Sequence, residues 1–291
     1  MDTVLEILRK TEAWFAGKGV PRPRLDAEHL VAHALGCRRL DLYLRHDMPM
    51  EEPVLERLRA LARRRAQREP LQHILGEWDF FNLRLKLDAR ALIPRQETEQ
   101  LVEEVAAHFR NGPPHHILDL GTGSGAIILA LLKHWPQAQG TAVDRSADAL
   151  ALARENADEH AVGGRVRFVQ GCWMEPLEEG VVFDLIISNP PYLTEEEWSA
   201  AEPEVREHDP RGALVAAEAG LADLHRILDE AAGRLEPGGW IYLETGIDQH
   251  ESLMDRAREC GLQEASSLKD YSGRPRFFRA RRGGASISAM A

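Results

Sequence analysis

Residues 115–132, HHILDLGTGSGAIILALL, constrain this chain more than any other stretch. An apolar run of strand length, three glycines at alternate positions and an apolar run of helix length follow one another without a break. Gly121, Gly123 and Gly125 permit positive φ and let a ligand approach the backbone closely. Ligands of open α/β sheets bind beyond the carboxyl ends of the strands, so this turn is a candidate site. Its spacing, G-x-G-x-G, differs from the G-x-G-x-x-G dinucleotide fingerprint, although Ala126 stands where that fingerprint tolerates alanine. The turn alone leaves the ligand open.

From about residue 91 onward the chain keeps alternating strand and helix. Strands are expected at HHILDL, QGTAVD, RVRFVQ, FDLIIS and GWIYLET, with helices over 98–110, 125–135, 147–160 and 220–235. A helix over 248–260 and two further strands, LQEASSL and PRFFRAR, complete the series. Such alternation implies an α/β fold whose mainly parallel sheet is covered by helices on both faces. Residues 1–70 carry no strand pattern. TVLEILRKTEAWFAGKG sets Val4, Ile7, Leu8, Thr11 and Trp14/Phe15 near one helical face, and RLDAEHLVAHALG repeats the pattern up to Gly36. PVLERLRALARRRAQREP has a proline in its first turn and Leu55, Leu58 and Leu61 as its apolar stripe. The basic run RRRAQR, 63–68, reads as a helix end that complements the dipole and faces solvent. In LQHILGEWDFFNLRLKLDAR the period changes, and Leu83, Leu85 and Leu87 alternate with polar residues, so a hairpin around Phe81-Asn82 is expected. These boundaries divide the chain into a helical domain, 1–72, a linking hairpin, 73–90, an α/β domain, 91–282, and a frayed tail, 283–291.

A chain of 291 residues, 44% hydrophobic, is long enough to build one α/β domain with a smaller appendage. No segment reaches the apolar length of a membrane span, and charged residues run through the first thirty positions, against a secretory signal. Cys37, Cys172 and Cys260 are far apart and odd in number, a pattern that suits the reducing cytoplasm and neither a disulfide framework nor a zinc ribbon. No metal site is expected. A formal net charge of −11 weighs against free nucleic acid as a partner.

Asp144 ends the strand after the glycine turn, about twenty residues on, where an acid can accept both hydrogens of a ribose diol. Its competing role, capping the helix near Ala147, is better filled by Ser146. SNPPYL, residues 188–193, follows the apolar run FDLIIS. Two prolines in series cannot donate to a sheet ladder, so their place at a strand end asks for a chemical reason. An amide or exocyclic amine nitrogen is a weak nucleophile because its lone pair is delocalised. Acceptors on both of its N–H groups hold it in place and favour charge developing there. The Asn189 side-chain oxygen supplies one acceptor, and the Pro190 carbonyl, fixed by the restricted φ angles of Pro190 and Pro191, supplies the other. The Tyr192 ring covers the planar group. The motif restricts the substrate to a planar amine and leaves nucleobases and glutamine side chains both open.

DLGTGSGAI, Asp144 and NPPY together resemble the class I S-adenosylmethionine-dependent methyltransferases. The resemblance implies a Rossmann-like sheet with an antiparallel last strand. It implies that the turn Gly121, Thr122, Gly123, Ser124 and Gly125 passes the methionine part of the cofactor, that Asp144 binds the ribose, and that Trp173 in QGCWMEPL stacks on the adenine. It also brings Asn189 to the cofactor. IPRQETE, PEVREHDPRGALVAAEAGL and the helical N-terminus extend the likeness to nearly the full length, where the chain is similar to the glutamine methyltransferases of peptide-chain release factors (the HemK/PrmC family). This implies S-adenosylmethionine as methyl donor and the glutamine of the Gly-Gly-Gln loop of bacterial class 1 release factors as substrate. Asn189, Pro190 and Tyr192 would then be catalytic, with Pro191 and Leu92 also lining the glutamine pocket. The helical domain would help grip the factor, and the enzyme would be a cytoplasmic monomer. A ribosomal-protein glutamine methyltransferase and a nucleic-acid amine methyltransferase are the alternatives. A NAD-dependent dehydrogenase leaves NPPY unexplained.

Overall fold

The computed structural model describes residues 2–284 and forms two compact units. One unit runs to Glu77 and takes in Glu202–His208; the other comprises Trp78–Ala201 and the chain from Asp209 onward.

The first unit is helical, with long helices at Val4–Gly17, Pro23–Leu35 and Glu52–Ala66. Thr3 and Glu6 form a reciprocal capping box: Thr3 Oγ1 accepts from the Glu6 amide, and the Glu6 carboxylate accepts from the Thr3 amide at 2.8 Å. Val4, Leu8, Thr11 and Phe15 form the buried face, while Ile7 and Trp14 lie on its margin. Two short helices, Asp41–Leu44 and Leu71–Leu75, are too brief to leave a periodic signal. The basic run 63–68 departs from the solvent-facing reading. Arg65 is buried, and its Nε donates to Asp26 at 2.7 Å while its Nη2 donates to Glu204 at 2.7 Å. Arg68 donates from Nε to Glu204 at 2.8 Å and from Nη2 to Glu202 at 2.7 Å. A guanidinium can be buried there because two carboxylates match its fork of donors.

From Trp78 the second unit continues the hairpin of β1 (Glu77–Phe80) and β2 (Leu83–Lys86), in which Phe81 and Asn82 take φ of 41° and 65°. Positive φ at both central residues gives the two-residue turn whose twist matches the strands it joins. The sheet follows with β3 (His116–Leu120), β4 (Gln139–Asp144), β5 (Val166–Gln170), β6 (Phe183–Ser188), β7 (Leu235–Glu244), β8 (Leu262–Lys269) and β9 (Pro275–Arg282). Its strand order is β5-β4-β3-β6-β7-β9-β8. Strands β3 to β7 run parallel and β9 runs antiparallel to both its neighbours, as the Rossmann-like expectation has it.

Alternate residues of the central strands feed two cores. Ile117, Leu185, Ile187 and Tyr242 pack with Leu101, Ile128 and Leu132 on one face. Leu118, Leu120, Ile186, Ile241 and Leu243 pack with Leu224, Leu228 and Leu253 on the other. Leu83, Leu85 and Leu87 of the hairpin segment join the first core. Two polar ties hold the hairpin in place. The Phe81 amide donates to Glu99 at 3.0 Å, and Asn156 bonds the Lys86 backbone and the Ser124 carbonyl. Among the described residues no helix is long and apolar enough to cross a membrane, and the three cysteines are free. Of the tail expected from residue 283, residues 285–291 lie outside the described residues.

Candidate active site

β3 delivers the chain into the glycine turn, where Gly121, Gly123 and Gly125 take φ of 69°, 57° and 84°. All three are left-handed, which explains their chemistry at these positions. The amides of Gly121 and Thr122 donate to the Val143 carbonyl at 2.8 and 3.1 Å, and the Gly123 amide donates to Asp144 Oδ2 at 2.9 Å. The turn is thereby hung on the end of β4. Thr122 Oγ1 points back into the protein and donates to Asp119 at 2.6 Å. Asp119 is fully buried, and the loss of solvation pushes its carboxyl up to about 7, with the charge of Asp144 adding to the effect. Asp144 Oδ1 accepts from the Ser146 amide at 2.9 Å, while Ser146 itself caps the next helix by accepting from the Ala149 amide.

Trp173 follows β5 with φ of 48°, an uncommon value for a residue of this bulk. Its indole Nε1 donates to Asp223 at 3.0 Å, which fixes the ring. A Cβ added at Gly121 would lie 3.5 Å from that ring, so the glycine keeps the ledge beside the indole open. A cavity of about 360 Å³ lies here, lined among others by Leu92, Gly121, Gly123, Asp144, Trp173, Asn189 and Pro191. Val143, Ala149 and Asp223 line it as well. An aromatic face, a carboxylate at a strand end and an amide thus meet in one space large enough for a nucleoside-sized group.

The remaining residues expected at the site are not among those that line this cavity. Thr122, Ser124 and Pro190 are buried and do not line the cavity, and Gly125 faces Leu129 and Ala153. Tyr192 is also absent from the lining. Its hydroxyl donates to Glu244 Oε1 at 3.0 Å, with the Arg276 guanidinium over its ring at 5.9 Å from the centroid. Burial and the neighbouring Glu244 carboxylate push the phenol well above its ordinary range. The loop after the motif is anchored by the Tyr192 amide on the Leu214 carbonyl and by Gln249 Nε2 on the Tyr192 carbonyl at 2.9 Å.

Asn189 Nδ2 donates to Thr98 Oγ1 at 3.1 Å, and Thr98 Oγ1 donates to Glu244 Oε2 at 2.7 Å. Glu244 is fully buried at the end of β7, and burial pushes its carboxyl upward against the pull of its two hydroxyl donors. Neither Thr98 nor Glu244 was expected from the sequence. The usable signal was a glutamate closing the apolar strand GWIYLET. Arg95 of IPRQETE pairs with Asp209, and Gln100, directly after the motif, accepts from the Tyr271 amide at 2.9 Å.

Residues 6–76 match the family described as the PrmC N-terminal domain, and residues 96–204 match the methyltransferase small domain. Curated proteins named release factor glutamine methyltransferase are 41% identical in Geobacter sulfurreducens and 42% identical in Deinococcus radiodurans. The first match covers 93% of this chain and 94% of the relative; the second covers 96% and 98%. Among solved structures, the hMettl16 catalytic domain in complex with MAT2A 3'UTR hairpin 1 is 15% identical with a TM-score of 0.57, over 97% of this chain and 94% of that one. A methyltransferase from Pyrococcus furiosus is 20% identical with a TM-score of 0.52, over 70% and 90%. At those identities the structural likeness speaks for the fold alone. The sequence likeness runs through the helical unit, the glycine turn and the Asn-Pro-Pro-Tyr loop alike, and by it this chain belongs to the family of release factor glutamine methyltransferases.

Proposed function

We propose that this chain transfers a methyl group from S-adenosylmethionine to the side-chain amide nitrogen of the glutamine in the Gly-Gly-Gln motif of bacterial class 1 release factors. The observation that carries the reading is the meeting of Asp144, Trp173, Leu92 and Asn189 in one cavity of a chain that matches named release factor glutamine methyltransferases along almost its full length. Asp144 and the glycine turn hold the ribose and methionine parts of the cofactor, and the fixed indole of Trp173 covers its adenine. The cradle fits such a group: a side chain at Gly121 would narrow the gap beside Trp173, and the lining alternates apolar wall with carboxylate. When bound, the cofactor supplies an electrophilic methyl group on a sulfonium centre.

The chain's own residues supply orientation. The Asn189 side-chain oxygen accepts one N–H of the substrate amide and the Pro190 carbonyl accepts the other, which holds a weakly nucleophilic nitrogen in line and tolerates positive charge on it. No strong base is needed, because the nitrogen sheds its proton after alkylation. Pro191 and Leu92 form the wall of the glutamine pocket, and Tyr192 fixes the loop. The helical unit recognises the folded release factor, and the enzyme works as a cytoplasmic monomer on protein and not on nucleic acid.

The test is transfer of a tritiated methyl group with whole release factor, ribosomal proteins and ribosomal RNA offered in parallel. Label in the release factor alone is the expected result. Label confined to a ribosomal protein or to RNA would overturn the substrate assignment.

A further inference from the structure

A primary amide presents two faces of opposite hydrogen-bonding sense, and only the oxygen face can receive an N–H of a substrate. Which way Asn189 points is therefore a chemical choice, and the residues behind it make that choice. Thr98 and Glu244 are 3% and 0% exposed, so no solvent competes for their hydrogen bonds. Glu244 Oε2 accepts the single hydroxyl proton of Thr98 at 2.7 Å. With that proton committed, Thr98 Oγ1 is left as an acceptor toward Asn189, 3.1 Å away. The only donor Asn189 can offer is Nδ2, so its oxygen is turned to the other side. The second oxygen of the same carboxylate receives the Tyr192 hydroxyl at 3.0 Å. Both polar side chains of the Asn-Pro-Pro-Tyr loop are thus referenced to one buried carboxylate, Asn189 through Thr98, 91 residues away in sequence, and Tyr192 directly, 52 residues away.

We propose that Thr98 and Glu244 are positioning residues that fix the orientation of the Asn189 amide, and with it the acceptor sense of the methyl-transfer site. The inference rests on the amide-methylating reading above and deepens it. Without the relay, neither end of the Asn189 amide is held, and rotamers that turn N–H toward the substrate nitrogen become accessible. Such a site loses turnover more than it loses affinity.

Thr98→Val, which keeps shape and removes the hydroxyl, is expected to lower kcat at least about tenfold, with the KM for release factor changed far less. Thr98→Ser, which restores the hydroxyl, should recover most of the rate. Glu244→Met removes the acceptor at similar volume, and the Thr98→Val/Glu244→Met pair should be no slower than the worse single variant, because both break one relay. A second arm is independent of activity. The chain has four asparagines, Asn82, Asn111, Asn156 and Asn189, so 15N-asparagine labelling resolves the Asn189 side-chain amide by NMR. Its protons should exchange slowly in the parent and in Thr98→Ser and quickly in Thr98→Val, with the Asn156 signals unmoved. Parental kcat in a folded Thr98→Val, or an Asn189 amide signal indifferent to it, overturns the proposal. Failure of the parent to methylate release factor retires the substrate reading instead, and the NMR arm still decides the relay.

Discussion

Trp173 Nε1 donates to Asp223 Oδ1 at 3.0 Å across fifty residues of sequence, and this bond holds a bulky residue whose backbone lies in the left-handed region. The indole forms one wall of the cavity and faces Gly121. Removing the carboxylate leaves the ring free to turn without emptying a core. Asp223→Ala is therefore expected to weaken S-adenosylmethionine binding roughly tenfold, as one lost hydrogen bond would, with little change in melting temperature. Titration calorimetry reads the affinity directly. Unchanged affinity would mean that the fixed indole does not contact the cofactor.

Asp119 supplies a pH signature. Burial raises its folded carboxyl to about 7, well above the ordinary range near 4. For a group raised on folding, the stabilising contribution is fully present below the unfolded value and is lost as pH rises through the folded one. The parent should lose melting temperature between about pH 4 and pH 7 relative to Asp119→Asn, which keeps an acceptor for Thr122 but carries no proton to release. Parallel melting curves for the two proteins over that window would contradict the assignment.

Gly220 tests the anchoring of the Asn-Pro-Pro-Tyr loop. Its φ is 82°, and a Cβ there would overlap the Tyr192 carbonyl oxygen and crowd Gln249 Nε2, the pair that ties the loop down. Gly220→Ala should cost about 2 kcal/mol or more, since both backbone and neighbour resist it. Chemical denaturation measures the loss; a variant as stable as the parent would show that the loop is held elsewhere.

The sheet and the glycine turn were legible because their signals are local. Glycine at 121, 123 and 125 announces left-handed backbone, alternation in Leu83, Leu85 and Leu87 announces a strand, and each was read within a window of a few residues. Short helices such as Asp41–Leu44 and Leu71–Leu75 carry too little periodicity to register. The support of Asn189 was not legible for a different reason. Thr98 reads as an ordinary first-turn helix residue and Glu244 as a stray charge, and only the fold brings them to one hydrogen-bonded chain. The burial of Arg65 is hidden for the same cause: its partners Asp26 and Glu204 lie 39 and 139 residues away. The Tyr192 hydroxyl contact with Glu244 was hidden in the same way, 52 residues away in sequence.

In the proposed reaction Asn189 presents its side-chain oxygen to the glutamine amide. The most direct measurement is the rate of methyl transfer to whole release factor by purified parent and Asn189→Ala, with cofactor affinity determined in parallel. Asn189→Ala should lose on the order of 10²-fold or more in kcat with most of the cofactor affinity retained, and in the parent reaction mass spectrometry should map the methyl group to the Gly-Gly-Gln glutamine. Transfer by Asn189→Ala at the parental rate would contradict it.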